Sequence, residues 1–510
     1  MLYHNSGNRK VNYEGKVDLS RYTLSTMLLK NVKTFKAIFE NDSMLRIRVC
    51  ENAYNKDIRC AIFFIDGMAT SEQVNESIVK PIVEIKVDEW SKERSSIDEI
   101  YSHMLYAAEV KKSTDLDEIV RSVVYGDTAL MAEGSDEVLI INSKGWETRS
   151  ISEPPNEKTL RGPHEGFTES LLKNTSLIRR RLRTSDLKFK SKTLGTRSNT
   201  GVCLCYLESI VNKDVLRLLE ERLNTIVIDG VLETNYIEEL IRDNPWTPMK
   251  TAGATERPDV VVGKLLEGRI AIIVDGSPTV MTVPYLFVES VQTDDDYYLN
   301  YYFASIGRLL RVISILITTI VPGFYVALVA FHKEMIPSRL ALSISAARDG
   351  VPLPIAVECL VMLAVFELLR ESGLRMPSNV GSALSIVGAI VIGQAAVQAK
   401  FVSAPMVIIV AITGITGLVV PKIKAAVLLY RTFLVLMASV MGMYGLVVGI
   451  SIIIAHVVSL TSYGVKYTSF LDSVSEQERK DVYLRYSWRT MKTRPANISS
   501  NVVRKGEKGE

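Results

Sequence analysis

The chain has 510 residues, of which 47% are apolar and 23% charged, and its formal net charge is +3 at pH 7. A charge this close to balance argues against a nucleic-acid-binding protein, which normally carries a concentrated basic excess, so no nucleic-acid partner is expected. The five irregularly spaced cysteines exclude a secreted disulfide framework, and we interpret all five as small buried apolar residues.

An internal duplication with an offset of 142 residues occupies most of the first 290 positions. Four residues of one copy recur without a gap in the other, as Gly126/Gly268, Ala129/Ala271, Gly134/Gly276 and Ser135/Ser277. In each copy an apolar run predicts a buried strand followed by a helix, and a later glycine predicts a hairpin turn. We predict two related α/β subdomains, 40–150 and 170–290, after a polar segment 1–40 and joined by a linker 151–169. Chance resemblance between short strand-turn-strand patterns is the alternative.

Charged and apolar residues are segregated along the chain. Charges occur throughout the first 311 positions, whereas four later runs contain no Asp, Glu, Lys or Arg, at 312–331, 376–399, 401–421 and 432–465. An apolar helix of about 20 residues covers the ~30 Å hydrocarbon layer of a membrane. We therefore predict a transmembrane helical domain over 291–465, followed by a basic C-terminal tail, 466–510. Because the N-terminus has no apolar signal core, we expect the preceding region to remain in the cytoplasm.

The fold class predicted from these patterns is an α/β soluble N-terminal region of two related subdomains, followed by an all-α polytopic membrane domain. Counting the apolar segment 354–370, five spans would place the tail outside the cytoplasm. The tail contains ten basic and six acidic residues, a balance that favours the cytoplasmic side. An even number of crossings, or a break within 433–460, would resolve this conflict.

No common catalytic motif occurs, and the histidines never fall at metal-ligand spacing, so we expect no catalytic residue, no cofactor and no metal site. We interpret His164-Glu165 as part of a structural turn, and Asp294–Asp296 as acidic residues at a helix N-terminus. The basic run Arg179–Arg183 is interpreted as a solvated face or a helix C-terminus, with contact to anionic lipid as the alternative.

Two carboxylates, Glu358 and Glu367, interrupt the apolar segment 354–370. A carboxylate in the bilayer interior is costly and usually faces a cavity, a pore or a partner group. Glu367 has Arg370 three residues further along the same helix face. We predict that Glu358, which has no such neighbour, lines a pore or cavity; a structural partner or an interfacial position is the alternative. About 180° of helical rotation separates the two acids, so they are not expected to face one lumen.

Small side chains recur every four residues in the third apolar stretch, at Gly381, Ser385, Ala389 and Gly393. Gly445 and Gly449 repeat this spacing in the last run. Such stripes let helix backbones approach closely in lipid, where apolar burial provides little drive for association. We predict close helix packing along the Gly381–Gly393 stripe, either within one chain or between subunits.

Several ordered motifs occur along the chain, among them Arg161-Gly-Pro-His-Glu-Gly-Phe167, Thr255-Glu-Arg-Pro-Asp259, Val274-Asp-Gly-Ser-Pro278, Arg348-Asp-Gly-Val-Pro352 and the run 386–397. Together they resemble the A subunit of GerA-type spore germinant receptors. The resemblance extends from about Leu45 to Tyr467. One departure is Leu363, where many members of that family are expected to carry a further glutamate, and this weakens a simple ring of acids as the basis of ion selectivity.

The resemblance implies a multi-pass protein of the spore inner membrane with its N-terminal domain on the cytoplasmic (core) side. It implies two partners, a transporter-like B subunit and a lipoprotein C subunit. It further implies a homo-oligomer, a pentamer by family resemblance, that conducts ions when a nutrient germinant binds. A non-conducting scaffold or signalling subunit of the same complex is the alternative.

Overall fold

The computed structural model describes residues 19–86, 96–107, 109–145, 157, 161–375, 391–469, 481–501 and 503–504. Two α/β subdomains come first, and an apolar helical domain follows them. The predicted fold class is confirmed in this arrangement.

The first subdomain is a five-stranded antiparallel sheet covered by helices on both faces. Its longer helices are α1 (Leu28–Ile38) and α2 (Leu116–Val124). Its strands are β1 (Leu45–Glu51), β2 (Arg59–Ile65), β3 (Val110–Ser113), β4 (Thr128–Ala132) and β5 (Val138–Ile141), in the order β1-β2-β4-β5-β3. The other face is covered by the short helical segments Ser71–Gln73, Val74–Val79, Lys80–Glu84, Ser96–Glu99 and Ile100–Met104.

The second subdomain repeats this plan. Its helices are α3 (Leu171–Arg181), α4 (Lys213–Thr225), α5 (Thr234–Ile241) and α6 (Pro258–Leu266). Its strands are β6 (Leu187–Leu194), β7 (Thr200–Leu207), β8 (Gly253–Thr255), β9 (Ile270–Val274) and β10 (Val280–Val283), in the order β6-β7-β9-β10-β8.

The register of the two sheets confirms the duplication. Cys60 pairs with Ala132 in the first sheet, and Val202 pairs with Val274 in the second, so both partners are shifted by the same 142 positions. Gly126 and Gly268, before β4 and β9, have φ values of 106° and 96°, and the hairpin glycines Gly134 and Gly276 both have φ of 86°. Backbone of this kind strongly favours glycine, which explains why these residues recur.

The first copy begins earlier than the predicted residue 40, because α1 is the counterpart of α3. Asn31 in α1 and Asn174 in α3 make the same contact, each side-chain amide exchanging hydrogen bonds with the backbone six residues upstream, at Ser25 and Thr168. Lysines occupy the exposed side of α1 and make residues 28–38 polar in composition, so this helix was not predicted from the sequence.

The two subdomains share one apolar core, which contains Phe35 and Phe63 from the first and Phe189 and Val261 from the second. Arg179 and Asp42 form a buried ion pair across this contact, with 2.6 Å between Nη2 and Oδ2. Arg179 therefore belongs to the interior, while the rest of the basic run ends α3 as expected.

Five labelled helices make up the described part of the helical domain: α7 (Tyr301–Phe331), α8 (Ser338–Ala347), α9 (Ile355–Arg375), α10 (Ala404–Leu418) and α11 (Lys424–Ser459). Residues 391–398 are also helical. Among these, α7 and α11 are long and apolar enough to cross a membrane, and α10 is apolar but shorter.

The helix α11 folds back on itself at Gly442, where φ is 60° and ψ is −137°. The rings of Tyr430 and His456 lie 6.3 Å apart, although 26 residues of straight helix would separate them by about 39 Å. A Cβ atom on Gly449 would lie 2.7 Å from Leu434 Cδ2, again across the fold. Residues 424–441 and 443–459 therefore form an antiparallel helical hairpin.

Both ends of this hairpin return to the second subdomain. Ala426 and Leu460 pack with Met249 and Tyr285 of that subdomain. The chain then forms the small ladder β11 (Thr461–Ser462) and β12 (Val465–Lys466). Further on, the tail pairs with the same subdomain, where the amide of Ser500 donates to the carbonyl of Ile210 over 2.9 Å. The tail and the α/β region therefore lie on the same side of the helical domain.

Candidate functional site in the helical domain

Glu358 lies in the first turn of α9 and has no exposed surface in the single chain. The backbone amide and the hydroxyl of Ser403 both donate to Glu358 Oε1 over 2.6 Å. Among the described residues Oε2 has no hydrogen-bond partner, and Arg348 Nη2 lies 3.7 Å from it. Thus Oε1 is fixed by two hydrogen bonds, whereas Oε2 has only the longer contact with the guanidinium group of Arg348.

Ser403 immediately precedes α10, so Glu358 supplies a negative charge at the N-terminus of that helix. An anion is favoured there because the first amide groups of a helix have no intrahelical acceptors. Apolar residues of three helices enclose the contact, including Val326 of α7, Cys359 of α9 and Met406 of α10. Ser403 was missed from the sequence, although a serine before an apolar helix is a cap signal that could have indicated it.

Glu367 lies two and a half turns further along α9 and faces a different neighbour. It pairs with Arg370, as predicted from their spacing. Its Oε1 also accepts a hydrogen bond of 2.9 Å from Arg431, which is buried in the first half of α11. The two acids of α9 point to separate partners, in agreement with the predicted rotation between them.

The described residues include one member of the predicted small-residue stripe, Gly393. A Cβ atom on Gly393 would lie 3.7 Å from Val407 of α10, an ordinary contact distance. Gly381, Ser385 and Ala389 lie outside the described residues, so packing along the whole stripe stays a prediction. The other glycine pair, Gly445 and Gly449, faces the first half of the α11 hairpin.

A cluster of charges joins the first part of α7 to the segment that leads into it and to the tail. Asp296 is buried and accepts hydrogen bonds from Arg308 and Arg311 of α7, at 2.9 and 2.8 Å. Arg308 also binds Asp481 of the tail at 2.8 Å. Asp296 caps the short helix Asp294–Tyr297, whereas Asn300 caps α7 itself, so the acidic run has the predicted capping role at a different helix.

Glu289 forms a second buried cluster at the base of the subdomain. Arg269 Nη2 lies 2.8 Å from its Oε1, and Lys264 Nζ lies 2.5 Å from its Oε2. Burial by itself would raise the pKa of Glu289, but Arg269 and Lys264 outweigh it and lower this pKa to about 2. The carboxylate is therefore ionised throughout the physiological range.

The fold and these clusters define a class of protein in which a duplicated α/β region is followed by an apolar helical domain that contains buried, paired charges. Residues 33–497 match the family described as Bacillus/Clostridium GerA spore germination protein. The chain belongs to this family, which confirms the resemblance drawn from its motifs, and its role is that of an A subunit in spore germination.

Individual relatives are similar over nearly their whole length. Spore germination protein KA of Bacillus subtilis (strain 168) is 41% identical over 487 residues, 95% of this chain and 89% of the relative. Spore germination protein GerLA of Bacillus cereus is 37% identical over 445 residues, 87% of this chain and 90% of the relative. The crystal structure of the N-terminal domain of the A subunit of the Bacillus megaterium spore germinant receptor GerK3 is 30% identical, with a TM-score of 0.41, and covers 52% of this chain and 98% of that domain.

Proposed function

We propose that the chain is the membrane subunit of a nutrient-sensing germinant receptor, and that several copies form an ion channel that opens when a germinant binds. The receptor would lie in the spore inner membrane with its α/β region on the core side. A transporter-like B subunit and a lipoprotein C subunit would complete it, and the ring would be a pentamer.

The observation that carries this proposal is the set of buried charges within the apolar helices. Glu358, Glu367 and Arg431 would serve no purpose in a passive anchor, because each charge raises the cost of placing its helix in lipid. Charged groups retained in apolar helices usually mark a pathway or a moving contact. The buried charges therefore favour a helical domain that contains a pathway or a moving contact over one that only attaches the protein to the membrane.

Glu358 constrains where an ion path can lie. Its carboxylate has no exposed surface in the single chain, since Ser403 and the surrounding apolar residues enclose it. A path that reaches Glu358 therefore requires either a neighbouring copy of the chain or a rearranged contact between α9 and α10. A ring of subunits would concentrate cations at such a carboxylate.

A non-conducting scaffold is the second candidate, and the charge cluster at the base of α7 favours it. Arg308 joins α7 to Asp296, in the segment that leads into the helix, and to Asp481 of the tail. Tyr298 of that segment donates a hydrogen bond to Asp259 of α6, so a shift of α7 would reach the α/β region through this segment. Such a coupling would serve a signalling subunit without any conduction.

Current recording distinguishes the two candidates. The full-length chain would be reconstituted in planar bilayers, alone and together with its B and C subunits, and current recorded before and after addition of a germinant. A channel predicts germinant-dependent current that requires this chain. Silence of the complete complex, with germinant binding intact, would leave the scaffold function.

A further inference from the structure

A polar cavity of about 500 Å³ lies where the second subdomain meets the start of α11. Both signs of charge line it, with Glu233, Glu238, Arg242 and Lys250 from the subdomain and Lys422 from the short helical turn before α11. Glu238 and Arg242 are 3.1 Å apart and largely neutralise each other. Lys250 and Lys422 remain as cations outside that pair. Together they exceed the single charge of Glu233, whose carboxylate accepts hydrogen bonds from Thr234, Asn235 and Ser277.

Lys250 is the cation with the fewest partners at this site. Among the residues that the structure describes, its ammonium group makes no hydrogen bond and no ion pair, although the side chain is largely enclosed. Burial lowers the pKa of Lys250, and the nearby charge of Lys422 adds to this. The carboxylates of Glu238, Glu157 and Glu289 only partly oppose the shift. Lys422 donates one hydrogen bond, of 2.9 Å, to the carbonyl of Gln292 and keeps two N–H groups for other acceptors. An anion in the cavity would satisfy both lysines.

An apolar groove of about 310 Å³ adjoins the polar cavity. The two spaces share Met249 and Ile423 in their walls. The groove runs between α7 and both halves of the α11 hairpin, and side chains such as Ile320, Ile454 and Val458 line it. Its apolar lining, which comes from three helical segments, suits a hydrocarbon chain.

The position of the two spaces matches the layers of a membrane. The hairpin ends of α11 meet the subdomain beside the polar cavity, so this level corresponds to the headgroup region if the helices lie in lipid. The groove continues from that level into the apolar part of the bundle. We propose that the two spaces together hold one anionic phospholipid, with its phosphate at Lys250 and Lys422 and an acyl chain in the groove.

This inference rests on the membrane location in the proposed function and is independent of conduction. The purified full-length chain in detergent would be incubated with phosphatidylglycerol, with phosphatidylcholine or with inorganic phosphate. The lipid retained after gel filtration would then be measured by mass spectrometry. We expect selective retention of phosphatidylglycerol that millimolar inorganic phosphate does not displace.

Two sets of variants test the two halves of the site. Each lysine replaced by glutamine should lower phosphatidylglycerol retention about fivefold, and Lys250→Gln with Lys422→Gln about 25-fold. The matched control is Lys333→Gln with Lys400→Gln, two exposed lysines at the other end of the bundle, which removes the same charge and should leave retention unchanged. Val458→Trp should fill the groove and lower retention of the lipid while both lysines remain.

Equal retention of phosphatidylcholine, displacement by inorganic phosphate, or unchanged retention in both the lysine and the Val458→Trp variants would overturn the proposal. Bound lipid in a receptor that passes no current would refute the channel alone. Current from a receptor without selective lipid retention would refute this inference alone.

Discussion

Substitution of Glu358 can separate the effect of its negative charge from the effect of its hydrogen bonds to Ser403. Glu358→Gln keeps an acceptor for Ser403 but removes the negative charge beside Arg348. If ions pass this carboxylate, we expect lower cation conductance or selectivity in bilayer recordings, while the oligomer still assembles. Normal currents and selectivity from a correctly assembled variant would leave Glu358 as a structural hydrogen-bonding residue.

Ser403→Ala is the matched control for Glu358→Gln. It removes one of the two hydrogen bonds to Oε1 and keeps the charge, because the backbone amide of residue 403 still donates. A loss of about 1.5–3 kcal/mol in stability is expected from the missing bond to a charged acceptor, with cation selectivity retained. The same loss of selectivity in both variants would show that the contact, and not the charge, is what matters.

Glu289 should make the stability of the α/β region depend on pH. Its pKa is about 2 in the folded chain, below its usual value, so the folded state gains stability above the unfolded pKa and loses it as pH falls towards 2. The contribution reaches about 3 kcal/mol near neutrality. The unfolding midpoint of the full-length chain should therefore fall between about pH 5 and about pH 3, and Glu289→Gln should flatten this dependence. Asp214→Asn, at an exposed ion pair, should follow the wild-type profile.

The partners of the two α9 acids show which contacts the sequence can predict. Glu367 and Arg370 are three residues apart on a helix, so their spacing alone places them together. Ser403 is 45 residues from Glu358, and Arg431 is 64 residues from Glu367. Contacts over such separations depend on how the helices pack, which the local pattern of residues does not determine.

At the scale of single elements, Gly442 is the position on which the α11 hairpin depends. A Cβ atom there would lie 2.9 Å from His332 Cε1, and the backbone has positive φ. Gly442→Ala should cost about 1–3 kcal/mol from the backbone conformation alone. We expect a lower thermal unfolding midpoint of the helical domain, whereas Gly393→Ala, at an uncrowded glycine, should change it little. Equal midpoints for the two variants would argue against the hairpin turn.

The small-residue stripe makes a separate prediction about assembly. Ala389→Leu adds three carbons to one face of the stripe, where helix backbones are predicted to approach closely. We expect a smaller oligomer mass in detergent while the α/β region stays folded. An unchanged mass would show that the stripe packs only within one chain. Gly393 faces Val407 of α10 in the same chain, so part of the stripe already packs in this way.

Elements were predictable where the pattern of residues repeats or alternates over a short range. The strands and hairpin turns of the two subdomains were predicted from apolar runs and recurring glycines, because strand burial and turn conformation depend on residues that are adjacent in the chain. The helix α1 was missed although its buried residues, Leu28, Asn31, Phe35 and Ile38, have helical spacing, because one of them is polar and the surrounding segment is rich in polar residues. A break within 433–460 was an open alternative, but its position at Gly442 was not predicted, because the run continues through it without a charged residue or a proline.

For the whole molecule, the α11 hairpin resolves the conflict between charge and topology. Five spans would have separated the basic tail from the α/β region. Because α11 leaves and returns to the second subdomain, both its ends lie on the side where Ser500 binds the backbone of Ile210. The positive charge of the tail then lies on the same side as the α/β region, which is the side that the positive-inside tendency favours if that region is cytoplasmic, as we propose.

This arrangement predicts which introduced cysteines react from the same side of a membrane. The five native cysteines are buried, so a single exposed cysteine should dominate labelling by an impermeant maleimide. Val227→Cys in the second subdomain and Ser500→Cys in the tail should both be protected in intact expressing cells and react after permeabilisation. Leu342→Cys in α8, exposed at the opposite end of the bundle, should react in intact cells. Reaction of Ser500→Cys from the side opposite to Val227→Cys would contradict the return of the chain through α11, since the tail could not then pair with Ile210.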